Sequence, residues 1–135
     1  MHSTAPNIKL KLPPRSAMEV FEMLPEGTLA EVINNTIYMP PAPTFSHQVV
    51  NLDIAVELRN FMKGKDLGEC VVAPIDVYLD DKNVVQPDVL VISKANLAII
   101  KNDKIKGVPD LVIEVLSTNR TYDLKDKKSF MKLLA

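Results

Sequence analysis

The 135-residue sequence holds one cysteine, four glycines and no long apolar run. A lone thiol, Cys70, excludes an intrachain disulfide framework and any cysteine-based zinc site. Within Gly68-Glu69-Cys70-Val71-Val72 it reads as a small buried apolar residue. With so few glycines there is no glycine-rich phosphate loop, and dinucleotide-binding or P-loop architectures are poor candidates. A Ser-His-Asp arrangement and a His-rich metal box are also missing. No stretch approaches the roughly 20 apolar residues of a membrane span. Met1-His2-Ser3-Thr4-Ala5-Pro6 lacks the charged start and apolar core of a signal peptide, so a cytoplasmic protein without a membrane partner is expected. Neither sign of charge dominates: sixteen basic against seventeen acidic side chains leave −1. That excludes a global positive field, and nucleic-acid binding would need a local basic patch.

What is present is a globular composition, with 47% apolar and 24% charged residues, sized for one domain. Ten prolines argue against an all-helical protein. Residues 1–15, with Pro6, Pro13 and Pro14, form an extended leader, and residues 16–135 a single domain. Ser16 can cap a short helix through Leu24, which Pro25-Glu26-Gly27 ends. Ala30 to Ile33 and Thr36 to Met39 flank Asn34-Asn35 as strand, turn and strand. After Pro40-Pro41-Ala42-Pro43, Val50, Ile54, Leu58 and Phe61 recur at helical spacing, widened by Val49, Leu52, Val56 and Met62. This predicts a long helix ending near Gly64. Strand material follows at Cys70 to Ala73, Ile75 to Leu79, Val84-Val85, Asp88 to Ile92 and Asp110 to Leu116, the last reading as a central strand. Thr121 or Asp123 starts a final helix in which Phe130, Leu133 and Leu134 begin an apolar stripe, with no Gly or Pro to end it. The order predicts an α/β domain, a mixed sheet with the long helix packed on one face.

Two acids resist explanation as scaffolding. Asp88 and Glu114 each sit in a run that otherwise asks to be buried, where a carboxylate costs several kcal/mol of desolvation unless a cation, a proton or donors compensate. If their strands are neighbours, the two converge. Two hard oxygen ligands, completed by waters and a backbone carbonyl (that of Val115), suit Mg²⁺ or Mn²⁺. The alternatives are a turn cap for Asp88 and a buried ion pair for Glu114; Asp110, after Pro109, reads as a turn residue. Between Arg120 and Ala135, five basic residues face two acidic ones, the only basic patch in the chain. A lysine from this helix can neutralise charge near the acids, or belong to a solvated face. His47, at the start of the long helix, and Glu31, opening a strand, are further candidates; Asp76 interrupts another strand.

Taken together, Gln86-Pro87-Asp88-Val89-Leu90-Val91, Gly107-Val108-Pro109-Asp110-Leu111-Val112-Ile113-Glu114-Val115-Leu116-Ser117, and Asp123 with Lys127 resemble the Uma family of endonucleases, a bacterial branch of the PD-(D/E)XK nuclease superfamily. Glu31-Val32-Ile33-Asn34-Asn35 and Ser46-His47 fit its N-terminal half. The resemblance covers residues 16 to about 134. It implies a restriction-endonuclease-like core, a mixed sheet flanked by helices, with Asp88 and Glu114 as metal ligands on adjacent strands. The superfamily lysine two residues after the second acid is absent, Leu116 standing there; Lys127 on the following helix matches the displaced lysine of this family, with Lys125 as substitute. Glu31 corresponds to an additional acid. An aromatic residue of the family is replaced by Met131, and the family's further strands beyond this point are missing.

The leading expectation is therefore a Mg²⁺- or Mn²⁺-dependent endonuclease hydrolysing DNA phosphodiester bonds through Asp88, Glu114 and Lys127, with Glu31, His47 and Lys125 as possible additions. The alternative is a catalytically inactive nucleic-acid-binding or assembly module of the same fold. A homodimer through the exposed sheet edge or last helix is compatible with either.

Overall fold

A computed structural model describes residues 16–116 of the chain. Ser16 accepts from the Glu19 N–H and so starts helix α1 (Ala17–Met23). The hairpin β1 (Glu31–Ile33) and β2 (Thr36–Tyr38) turns on Asn34 and Asn35, both at positive φ (49° and 59°), as a two-residue turn matched to strand twist requires. Thr44 caps helix α2 (Phe45–Gly64) by accepting from the His47 N–H. Strands β3 (Gly68–Val72), β4 (Val77–Asp80), β5 (Asn83–Val85) and β6 (Val89–Ser93) follow. A 3-10 turn (Lys94–Ile99), the short strands β7 (Ile100–Lys101) and β8 (Lys104–Lys106), and β9 (Leu111–Ile113) complete the described chain.

The strands form two sheets, one in the order β2-β1-β5-β4-β8-β7 and one in the order β3-β6-β9. Only β4 and β8 run parallel, so the architecture is mixed, as expected. Side-chain alternation then assigns the layers. On one face of the larger sheet, Val32, Val84 and Tyr78 meet Phe21 of α1. Its other face, through Ile33, Val85, Val77 and Ile105, meets Leu90 and Ile92 of β6. The opposite face of β6, Val89 and Val91, packs with Cys70 against Ala55 and Met62 of α2. The result is helix, sheet, sheet, helix, with β6 buried on both sides in the middle of the smaller sheet. Gly68 has φ +139°, and a Cβ there would meet the Ile92 carbonyl oxygen at 2.1 Å, so glycine is required where β3 enters this sheet. Burial pushes the Cys70 thiol up, with the Arg59 charge pulling the other way, as the apolar reading of that residue implies.

Two expectations need correcting. The run from Asp110 to Leu116 supplies only the three-residue β9, which lies at the outside of the smaller sheet among the described residues. The strand with both faces covered is β6. The inward side of α2 also holds only part of the stripe expected from periodicity. Asn51, Ala55 and Met62 are buried with Ile54 and Leu58 beside them, whereas Val49, Val50, Leu52, Val56 and Phe61 are exposed. Apolar residues surround so much of this helix that spacing alone does not select a face. No helix among the described residues is long and apolar enough to cross a membrane.

Leu90 joins both sheets in one cluster and is 1% exposed. Leu90→Ala is expected to cost about 3–5 kcal/mol of stability, the range for a cavity in a closed core, read as a lower midpoint in urea with unchanged slope.

Candidate active site

β6 and β9 are antiparallel, with Val89 opposite Ile113, Leu90 opposite Val112 and Val91 opposite Leu111. Continued by one residue, this register sets Asp88 opposite Glu114, so the two acids singled out in the sequence stand across neighbouring strands. At the other end of the same pair lies Asp110, whose carboxylate accepts from the Ser93 N–H at 2.7 Å and from Asn96 Nδ2 at 3.1 Å. The antiparallel pair thus separates its acids by role. Asp110 ties the 3-10 turn to β9, as its turn reading implies, while Asp88 and Glu114 share the opposite end.

Asp88 is held on several sides. Its Oδ2 accepts from the Val115 N–H at 2.7 Å and from His47 Nε2 at 3.2 Å. Because a carboxylate oxygen only accepts, Nε2 carries a proton in this contact. The Asp88 carbonyl accepts from the Ala73 N–H at 3.0 Å. Both side chains lie mostly out of solvent, 9% exposed for His47 and 17% for Asp88. The other carboxylate oxygen, Oδ1, has no hydrogen-bond partner among the described residues. The two donors on Oδ2 fix the orientation of the carboxylate.

The segment leading to Asp88 is fastened by a residue that the sequence reading passed over. Gln86 donates its N–H to Glu31 Oε1 at 2.6 Å, and its side-chain nitrogen donates to the Thr28 carbonyl at 3.1 Å and to Asp76 Oδ1 at 2.8 Å. Buried Pro87, with its fixed φ, separates this clasp from Asp88. Glu31 is 2% exposed and stands two residues from Asp88 along this hydrogen-bonded route. Its acceptor role is structural. The signal available in the sequence was a lone glutamine between Val84-Val85 and Pro87, a polar residue with no turn to make.

The structure therefore brings together Asp88, His47 and Val115, sets Glu114 opposite Asp88, and links Glu31 to the approach. Lys125 and Lys127 lie outside the described residues, so the basic part of the expected site does too. Among the described residues no group of three or more His, Cys, Asp or Glu side chains converges as a metal cluster. What the geometry presents is a pair of carboxylates with a backbone donor and an imidazole behind one of them.

Comparison with known proteins bears on the family and the fold. The model of the Uma2 family, described as "Putative restriction endonuclease", matches residues 17–130. Among solved structures, one titled as a "putative nuclease belonging to DUF820" from Anabaena variabilis superposes with a TM-score of 0.66 at 22% sequence identity. The match covers 90% of this chain and 66% of that one, and shows a shared fold. No curated protein matches the chain.

Two expected outcomes follow from the hydrogen bonds around the site. Glu31→Ala leaves the Gln86 N–H without its acceptor and should destabilise the protein by about 2–3 kcal/mol in chemical denaturation, with Glu31→Gln costing less. Asp110 is held below its ordinary value of 3.8, chiefly by the Ser93 N–H, despite lying on the surface. A lowered carboxylate stabilises the fold above its unfolded-state value, and that contribution disappears as pH falls through the folded-state value. Asp110→Asn should therefore melt below wild type at neutral pH, with the gap closing in acid below pH 3.8.

Proposed function

The chain belongs to the Uma2 restriction-endonuclease family, and from that premise we propose that it hydrolyses DNA phosphodiester bonds with the help of a divalent cation. The observation that carries this reading is the placement of Asp88 opposite Glu114, with no hydrogen bond to Asp88 Oδ1 among the described residues. Two hard carboxylate oxygens fit Mg²⁺ or Mn²⁺, which commonly keep several waters and take only one or two protein carboxylates. Asp88 and Glu114, with the Val115 carbonyl, are the residues that would hold such an ion. Bound there, it would supply a water of lowered pKa and positive charge for the scissile phosphate.

The chain's own groups prepare that chemistry. Val115 N–H and His47 hold Asp88 Oδ2, so the carboxylate cannot rotate to spend both oxygens on the protein. Gln86 and Glu31 fix the segment that carries it. Lys127 is assigned the charge that other nuclease branches place two residues after the second acid, with Lys125 the nearer alternative. Net charge of −1 means that DNA is gathered locally, by the basic residues between Arg120 and Ala135, and affinity should fall with salt.

Incubation of the purified chain with supercoiled plasmid in Mg²⁺, Mn²⁺ or EDTA tests the reading. Wild type should nick only with a metal present. Glu114→Gln and Asp88→Asn should lose at least about a hundredfold of that activity while still unfolding cooperatively. Metal-dependent nicking that survives Glu114→Gln refutes the assignment of the acids. A well-folded wild type that binds plasmid in a salt-sensitive way but never nicks it makes this a binding module.

A further inference from the structure

Helix α2 directs a row of residues one turn apart toward the smaller sheet. His47 touches Asp88, and Ala55 packs in the cluster with Val89, Val91 and Cys70. Asn51 lies between them, four residues from each, and shares their face. It is 8% exposed, and its Oδ1 makes no hydrogen bond to any described residue. A buried carbonyl oxygen without a donor is uncommon in a native interior and counts against stability. Its direction is informative. Side chains on a helix lean toward the N-terminus, so Asn51 leans toward His47, and one turn advances only about 5.4 Å. That end of the helix faces the start of β6, where Asp88 stands opposite Glu114.

From this placement we infer that Asn51 is a further member of the cation site, its Oδ1 accepting a hydrogen bond from a water on the hydrated divalent ion. The inference rests on the proposed function and adds a residue to it. An amide oxygen suits this task. It accepts without adding a third negative charge beside two carboxylates, and it needs no proton to be lost. It also explains why the inward face of α2 holds an asparagine where Val50 or Leu52 next to it would bury more apolar surface. The oxygen is reserved for a donor that arrives with the ion.

Calorimetric titration of Mn²⁺ into the full 135-residue chain, paired with melts in EDTA, tests this without relying on activity. Asn51→Leu removes the oxygen at similar volume. It should weaken Mn²⁺ about fivefold to tenfold, the loss of one hydrogen bond to a charged group, while raising the metal-free melting temperature by several degrees. Asn51→Asp guards against a mere packing effect. It should bind Mn²⁺ more tightly than wild type and melt lower without metal, because a third carboxylate joins the pair. Unchanged Mn²⁺ affinity in both variants overturns the role of Asn51 and leaves Asp88 and Glu114 standing. A wild type that binds no Mn²⁺ overturns both readings together.

Discussion

One oxygen atom, Asp88 Oδ2, joins three parts of the fold. It takes the Val115 N–H from beyond β9 and the His47 imidazole from α2, while Asp88 itself opens β6. A carboxylate at the edge of an apolar layer costs several kcal/mol to desolvate unless donors replace water, and these two do so. The relative placement of α2, β6 and β9 is therefore tied to a polar contact at one end and to the Ala55, Met62, Cys70, Val89 and Val91 cluster along the rest. The hydrogen bond from His47 adds a directional contact to that packing.

The acids around the site divide by what they fasten. Asp110 gives Oδ2 to a backbone N–H and a side-chain amide, and it organises a turn. Buried Glu31 takes the Gln86 N–H and fastens the larger sheet to the strand that carries Asp88. Asp76 accepts from the Gln86 side chain in the same clasp. Asp88 differs in its place: two donors fix its Oδ2, and it stands opposite a second carboxylate, that of Glu114. A pair of acids that is to hold a cation needs such orientation from the protein. The domain thus uses carboxylates as scaffold in three places, in both sheets, and the pair proposed for chemistry stands at one end of the smaller sheet.

Much of this was legible because strands obey a period of two. An acid in each of two apolar runs, each run preceded by Pro, was enough to set Asp88 against Glu114 once the strands were taken as neighbours, and the register shows that the strands are neighbours. The Asn34-Asn35 turn was legible for a similar reason, since few other residues accept positive φ twice in succession. The β7–β8 hairpin was not seen. Its turn residues, Asn102 and Asp103, carry the same backbone signal, but lysines flank them and strands of two and three residues are too short for alternation to stand out. Gln86 was missed because its contacts are long-range, reaching Thr28, Glu31 and Asp76.

The orientation of α2 shows where periodicity misleads and why. Leu52 is 63% exposed and Val49, Val50 and Val56 are also outward, although burying such side chains is worth about 1.5–3 kcal/mol each. A helix placed only to hide apolar surface would turn toward that stripe. Instead it presents His47, Asn51 and Ala55 to the sheet, with Ile54, Leu58 and Met62 of the expected stripe beside them. The small Ala55 lets the helix approach Cys70 and Val89 closely, and close approach is what brings His47 within reach of Asp88. Apolar burial through Ile54, Ala55, Leu58 and Met62 holds the layers together, and the same face of α2 carries the imidazole that meets Asp88.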